Sequence, residues 1–371
     1  MRKVVRILQI ILGFVFTFSG FVKAVDPLGT NYKLIDYFNV LNIDFLAPGA
    51  MIFAIGLITV ELTIGIFLIF NIAPKLTLWL ATLLMVIFTP LTLFLAIKNP
   101  ILDCGCFGDA LILSNWQTFW KNVVFDIILI LLWIWHKQLI PRTKKNTQWT
   151  LGIITVVAVL LFQAYNLAYL PVIDFRPYKV GTDLKKALSQ QKQTAEYKSV
   201  LVYKNKITGE VKEFDEDNIP WQDSNWVWQE TKTITISKGN DSGIHDFYLY
   251  NDQHQDITDS LLNIKDPVMI IVAYNLDKSN EKGFRKILDI ARKFTQKYYP
   301  IVYCLTGSDE QTINKFAARH SCECLEFLSA DETMLKTIIR SNPGIVILKN
   351  GKIVGKYSWR ENLDKILNKE F

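Results

Sequence analysis

The sequence predicts a bundle of membrane-spanning α-helices followed by an α/β domain in water. Three observations predict it. The 371-residue chain is 50% hydrophobic and 20% charged, too apolar for an ordinary soluble enzyme. Its apolar residues crowd into the first 170 positions. From about position 243 onward, short apolar runs alternate instead with amphipathic helical patterns.

Crossing about 30 Å of hydrocarbon takes roughly 20 apolar residues in helix, because the bilayer offers an unpaired backbone amide no partner. The stretches 4–24, 50–72, 76–97, 117–136 and 150–170 qualify. The first opens on Arg2, Lys3 and Arg6 like a signal peptide. Its apolar run is long and no small-x-small cleavage site closes it, so it reads as an uncleaved helix.

Lys and Arg resist translocation, and they gather at the N-terminus and in the 137–145 loop as Lys137, Arg142, Lys144 and Lys145. Those two places are expected in the cytoplasm. The 25–48 loop, the 98–116 loop and everything after 170 then lie outside, which gives a multi-pass protein of the bacterial inner (cytoplasmic) membrane with a periplasmic C-terminal domain. Much of the net charge of +6, from 41 basic and 35 acidic residues, sits beside these hydrophobic segments. The expected partner is membrane lipid, and nucleic acid is not implied.

Ionisable groups inside a membrane cost about 3 kcal/mol each and need a reason to be there. Glu61 sits near the middle of the second span and Asp126 about two turns into the fourth, while Lys23 and Asp26 close the first. Two readings stand: a hydrogen-bond network that fixes helix packing, or a proton path or polar pocket for a head group such as a membrane quinone. Pro90, with Thr89 and Thr92 beside it, is expected to kink the third span, a threonine hydroxyl taking up the freed carbonyl.

Five cysteines in a chain this long are no disulfide scaffold. They fall as the pair Cys104 and Cys106, a lone Cys304, and the pair Cys322 and Cys324. Two thiols one residue apart can bond only across a tight turn, which Gly105 permits. A bond so closed is strained, hence oxidising and easily exchanged. Asp103 and Asp109 oppose thiolate formation, and the N-terminus of the fourth span can offset them. Redox chemistry, a structural disulfide, and metal-bound or inert thiols remain as readings. The metal reading is the poorest, because no histidine lies in the same loop. Cys104 and Cys106 are therefore the candidate catalytic pair, with Lys23, Asp26, Glu61, Asp103, Asp109 and Asp126 in support.

Phe18-Ser19-Gly20-Phe21-Val22-Lys23, Asp26-Pro27, Glu61 and Asp103-Cys104-Gly105-Cys106-Phe107-Gly108-Asp109 together resemble the DoxX/MauE family of four-helix membrane proteins. The resemblance covers roughly residues 1–140, and the Cys-Gly-Cys-Phe-Gly string is its most specific part. It implies a DoxX-like four-helix bundle, to which 141–170 adds a fifth anchor helix with a basic loop. It also implies the methylamine utilisation and periplasmic enzyme maturation associated with MauE, and the sulfur and quinone chemistry of DoxX relatives. Fold alone transfers neither substrate.

Residues 171–240 read as a connector with a small β segment. A strand, a Lys-Ile-Thr-Gly turn and a strand occupy 198–214, and another strand spans 226–237. Trp221, Trp226 and Trp228 are expected to pack in that layer, with a partner-binding or membrane-facing patch as the other reading. From 243 the expected order is hairpin, buried strand 268–273, helix 281–297, strand 300–305, helix 309–319, strand 324–328 and helix 331–340. A strand, an Asn-Gly turn and a strand close it. On the first of these helices, at 281–297, Phe284, Ile287, Leu288, Ala291 and Phe294 share a face.

This order, with Pro343 entering the penultimate strand, resembles the thioredoxin-like fold over 241–371, and the resemblance makes Pro343 the cis-proline of a binding groove. Where that fold carries Cys-x-x-Cys, this chain has Tyr274-Asn275-Leu276-Asp277-Lys278-Ser279-Asn280, so thioredoxin catalysis cannot occur there. Cys304 is expected in the core. His320, Cys322 and Cys324 read as a ligand cluster lacking a fourth ligand or as a second redox pair, and Cys322–Cys324 and Cys304–Cys322 are the bonds to weigh. No metal site is predicted.

The expected function is a membrane thiol-redox or disulfide-relay protein that helps mature periplasmic clients bearing thiols. The alternative is a non-catalytic assembly protein whose thioredoxin-like domain binds a partner. A transporter makes a thinner case, since no inverted repeat is evident.

Overall fold

The computed structural model describes residues 2–101, 103–141, 144–194, 197–205, 211–215, 225–235, 244, 247–297 and 301–365. Arg142, the turn after Asn205 and Trp221, all used in the sequence reading, lie outside the described residues, as do 245 and 246 in the expected opening hairpin. The chain divides into two units, Met1–Arg176 and Pro177–Phe371.

The first unit is helical: α1 (Arg2–Val25), α2 (Pro27–Val40), α3 (Ala50–Phe70), α4 (Pro74–Lys98), α5 (Asn115–Ile134) and α6 (Lys145–Ala168). Five of these, all but α2, are long and apolar enough to cross a membrane, α3 together with the 3₁₀ turn before it. They match the five expected spans. Helix α2 falls where the sequence reading left a loop. Asp26, read there as a charge closing the first span, is its N-cap and accepts from Gly29 N at 3.1 Å, with Pro27 following.

Helices α1 and α3 approach closely because small residues meet. A Cβ on Gly20 would stand 2.7 Å from the Leu62 backbone, and one on Gly65 would stand 2.3 Å from Thr17 N. Leu12, Phe16, Ile64, Leu68, Leu78, Met85 and Leu132 fill the space between α1, α3, α4 and α5. Helix α6 is fastened to this group by polar bonds, from Gln163 Nε2 to Thr59 Oγ1 at 2.9 Å and from Asn166 Nδ2 to the Ala24 carbonyl at 3.3 Å. The threonines near Pro90 have other employment than the freed carbonyl of Val86. Thr92 donates to the carbonyls of Phe88 and Thr89, and Thr89 donates to Asp126 at 2.8 Å, tying α4 to α5.

The second unit opens with α7 (Leu184–Thr194) and an antiparallel sheet of β1 (Tyr197–Asn205), β2 (Val211–Asp215) and β3 (Trp226–Thr235), in the order β2-β1-β3. It continues through α8 (Thr258–Leu262), β4 (Pro267–Val272), α9 (Glu281–Lys297), β5 (Val302–Thr306), α10 (Glu310–His320) and β6 (Leu325–Ser329). Helix α11 (Glu332–Ile338), β7 (Gly344–Lys349) and β8 (Lys352–Ser358) complete it. Strands β4, β5 and β6 are parallel, β7 runs antiparallel to β4, and β8 antiparallel to β7, in the order β6-β5-β4-β7-β8. The Asn342–Pro343 peptide, directly before β7, is cis. This is a thioredoxin-like arrangement.

The apolar face of α9 is buried: Phe284, Ile287, Ala291 and Phe294 pack on Met269, Ile271, Ile345 and Ile347 of the sheet. Near the expected opening hairpin, Tyr250 bridges Asp256 antiparallel, with Ile257 N donating to the Leu249 carbonyl at 2.9 Å, and Tyr250 also bridges Ser329 of β6. Part of the stretch read as a connector is woven into the domain. Gly181 N donates to the Ile353 carbonyl at 2.8 Å, Ile353 N to Thr182 at 2.9 Å, and Leu184 N to Gly351 at 2.9 Å. Tyr178 and Leu184 are buried there.

Candidate functional site

The loop between α4 and α5 carries Cys104 and Cys106, and four anchors shape it. Asp103 accepts from Gly105 N at 2.8 Å with one carboxylate oxygen, and its other pairs with Lys33 of α2 at 3.0 Å. The Tyr37 hydroxyl donates to the Cys104 carbonyl. Ser19 of α1 donates to the Cys106 carbonyl at 2.5 Å, and Gly108 N closes a turn onto the Gly105 carbonyl at 3.0 Å. Gly105 sits at φ +62°, left-handed backbone that disfavours side chains.

The two sulfurs occupy different surroundings. Cys104 is buried, its Sγ 3.4 Å from Thr118 Oγ1 of α5, whereas Cys106 is half-buried. The Cys106 thiol hydrogen-bonds Cys104, and this bond, with help from Thr118 and the Lys121 ammonium and against the cost of burial, brings Cys104 down to about 6. The same bond, with burial, holds Cys106 well above the ordinary thiol range. Burial pushes the Tyr37 phenol up, and the charges around the loop add to it. The expected obstruction by Asp103 is blunted by Lys33, and Asp109 is exposed.

Beneath the loop lies a buried ion pair. Lys23 Nζ stands 2.7 and 3.0 Å from the two oxygens of Glu61 and 3.1 Å from Ser19 Oγ. The chain Glu61–Lys23–Ser19 therefore ends on the backbone of Cys106. A cavity of about 40 Å³ joins Cys106, Lys23, Glu61 and Lys121, walled by Phe107 and Phe125. Lys121 lies 4.7 Å above the Phe107 ring and 5.4 Å from that of Phe125. Such a space is large enough for water, since about 10–15 Å³ suffices for one molecule. It is far below the roughly 300–1,000 Å³ of a ligand pocket, and so it does not fit a quinone ring. Asp126 is absent from the described lining of this cavity and meets Thr89 instead.

Lys33, Tyr37, Thr118 and Lys121 were not singled out from sequence. For α5 a signal existed: Thr118, Lys121, Asn122 and Phe125 fall at helical spacing and form one face.

In the second unit, Tyr274–Asn280 takes the place of a Cys-x-x-Cys. Asn342 Nδ2 donates to the Asn275 carbonyl at 2.8 Å, and Asn280 N donates to the Asn342 carbonyl at 3.1 Å. Leu276 N also donates to Ser308 Oγ at 3.0 Å. The segment is thus pinned beside Pro343. Cys304 lies fully buried in β5, and burial with the neighbouring Cys322 pushes its thiol up. Burial and Cys324 push Cys322 up to about 11, and burial raises the half-buried Cys324. His320 stacks on Phe316 at 4.4 Å and faces Phe284 at 5.7 Å, a core role.

No protein of curated description matches the chain. Among solved structures, reduced Prx3 of Vibrio vulnificus in complex with H2O2 is similar at 11% identity, over 31% of this chain and 83% of that one, with a TM-score of 0.26. BsSco, a member of the Sco family of cytochrome c oxidase assembly proteins, is similar at 13% identity, over 34% of this chain and 89% of that one, with a TM-score of 0.28. Residues 197–238 match a domain of unknown function, DUF8463. Residues 1–136, which hold the dithiol, the Lys23–Glu61 pair and Lys121, match the family model of the methylamine utilisation protein MauE, so the membrane part of this chain is MauE-like.

Proposed function

We propose that the protein is a membrane-bound thiol–disulfide exchange protein of the bacterial envelope, in which Cys104 and Cys106 pass a disulfide to client proteins. The carrying observation is the unequal setting of the two sulfurs: Cys104 is the better thiolate, and so the better leaving group, while Cys106 borders the small cavity with Lys23 and Lys121 and is held protonated. In the oxidised pair, a client thiolate attacks Cys106 Sγ and the Cys104–Cys106 bond breaks. Cys104 leaves as a thiolate held by Thr118 and Lys121, and a low-pKa thiol is the faster leaving group. The client's second thiolate then attacks its own sulfur in the mixed disulfide, and Cys106 departs and takes a proton. The client dithiol becomes a disulfide and the protein's disulfide becomes a dithiol, with electrons and atoms balanced.

The name of the matched family, methylamine utilisation, fits a role in maturing a partner enzyme. The basic loops support a cytoplasmic N-terminus and a periplasmic home for both the dithiol and the second unit. No step passes through a quinone, for which the cavity lacks room.

Mixed-disulfide trapping in cells tests this reading. Cys104→Ser leaves Cys106, the sulfur that the client attacks in this scheme, to hold clients in persistent adducts, and Cys106→Ser, with the leaving-group thiol alone, gives few. Equal adducts from both variants, or a pair whose alkylation pattern never changes in the wild type, would remove the proposal. A second reading, an assembly protein that grips a partner near Pro343, draws on the pinned Tyr274–Asn280 segment. Crosslinking from position 343 that recovers a single partner, with the dithiol mute, favours it instead.

A further inference from the structure

At the end of the bundle opposite the dithiol loop, α6 stands away from α4 and α5 and leaves a wedge-shaped cavity of about 910 Å³. The opening has a structural cause. Gln148 at the start of α6 accepts from Ala73 N at 3.0 Å, and Gly152 lets Phe67 of α3 come so near that a Cβ would meet its ring at 3.2 Å. The Gln163 and Asn166 bonds further along hold α6 against α3 and α1.

The walls and the rim differ in chemistry. Phe67, Leu76, Leu80, Ile153 and Val156 make the walls apolar, while Lys75, Lys137 and Lys145 stand at the rim. All three lysines are exposed, and no carboxylate belongs to the described lining. Trp149, 60% exposed, also lines the cavity, a residue type that favours the head-group level. The volume falls within the roughly 300–1,000 Å³ of ligand sites. A soluble anion would leave the apolar walls empty, and a neutral lipid would leave three ammonium groups without a counter-charge. Basic pockets between membrane helices favour anionic head groups.

We propose that this wedge is a binding site for an anionic diacyl phospholipid, its phosphate among Lys75, Lys137 and Lys145 and its chains along Phe67, Leu80 and Val156. The site stands apart from the dithiol: α4, 25 residues long, separates the two by about 37 Å at 1.5 Å per residue.

Native mass spectrometry of the full chain, released from detergent with equal phosphatidylglycerol and phosphatidylcholine of one acyl composition, reads this directly. Phosphatidylglycerol should be retained preferentially, with each lysine-to-glutamine change among the three weakening it about fivefold. Val157→Trp, which fills the wedge and keeps every charge, should lower retention of both lipids, and soluble glycerol phosphate should displace neither. Equal retention of the two lipids, a triple lysine variant that keeps the preference, or displacement by glycerol phosphate would each overturn the site. Unchanged helical circular dichroism of the variants keeps the comparison valid.

Discussion

Lys23 and Glu61 meet at 2.7 Å between α1 and α3, both buried, with Ser19 carrying the contact on to the backbone of Cys106. Removing one partner strands the other's charge. Glu61→Gln should therefore cost about 3–5 kcal/mol, and replacing both residues with methionine should recover most of the loss. Thermal melts of the purified protein in detergent check this, and a double variant as unstable as the single would show that the pair is not the cause.

The dithiol should titrate asymmetrically. Because the Cys104 pKa is lowered, its thiolate is present above pH about 6 and is lost as pH falls through that value. Alkylation of Cys104, followed by peptide mapping, should rise with a midpoint near 6. Cys106→Ala removes the leading cause and should move that midpoint upward by at least one unit, about 1.4 kcal/mol.

Gly105 is a sharper test of the loop. A side chain at φ +62° costs about 1–2 kcal/mol, and its Cβ would crowd Lys33 Cγ at 3.2 Å. Gly105→Val should destabilise the turn and shift the redox equilibrium of the pair, measured against glutathione buffers. Gly56→Val, at a glycine with open space around it, should leave that equilibrium unmoved.

Thiol labelling of the second unit should follow exposure. Cys324 should react first, Cys322 slowly because it stays protonated below pH about 11, and Cys304 only on unfolding. Rapid labelling of Cys304 in the folded protein would contradict the β5 assignment.

The parts legible in the sequence were those with a strong period or a strong length signal. Five spans announced themselves by apolar length, and the buried face of α9 by its spacing. Helix α2 hid because Asp26-Pro27, a cap and a first-turn proline, read equally well as a charge at a membrane boundary. The Cys-Gly-Cys string was visible, yet the unequal surroundings of Cys104 and Cys106 depend also on Thr118 and Lys121, which folding brings from α5. Phe247 and Leu249 are buried and Tyr248 and Tyr250 exposed, the alternation of a strand with one face covered. Among the described residues its pairing is by single bridges, which alternation does not announce because it reports burial and not pairing.

The segment at 181–184, hydrogen-bonded along β8, and Tyr250, bridged to Ser329 of β6, cover opposite borders of the five-stranded sheet. Exposed borders invite strand addition, whether by an unfolded peptide or by a neighbouring molecule en route to aggregates. Here that route is narrowed on both flanks. A substrate polypeptide would have to be read by side chains and loops, and sequence-blind zippering onto the backbone is disfavoured.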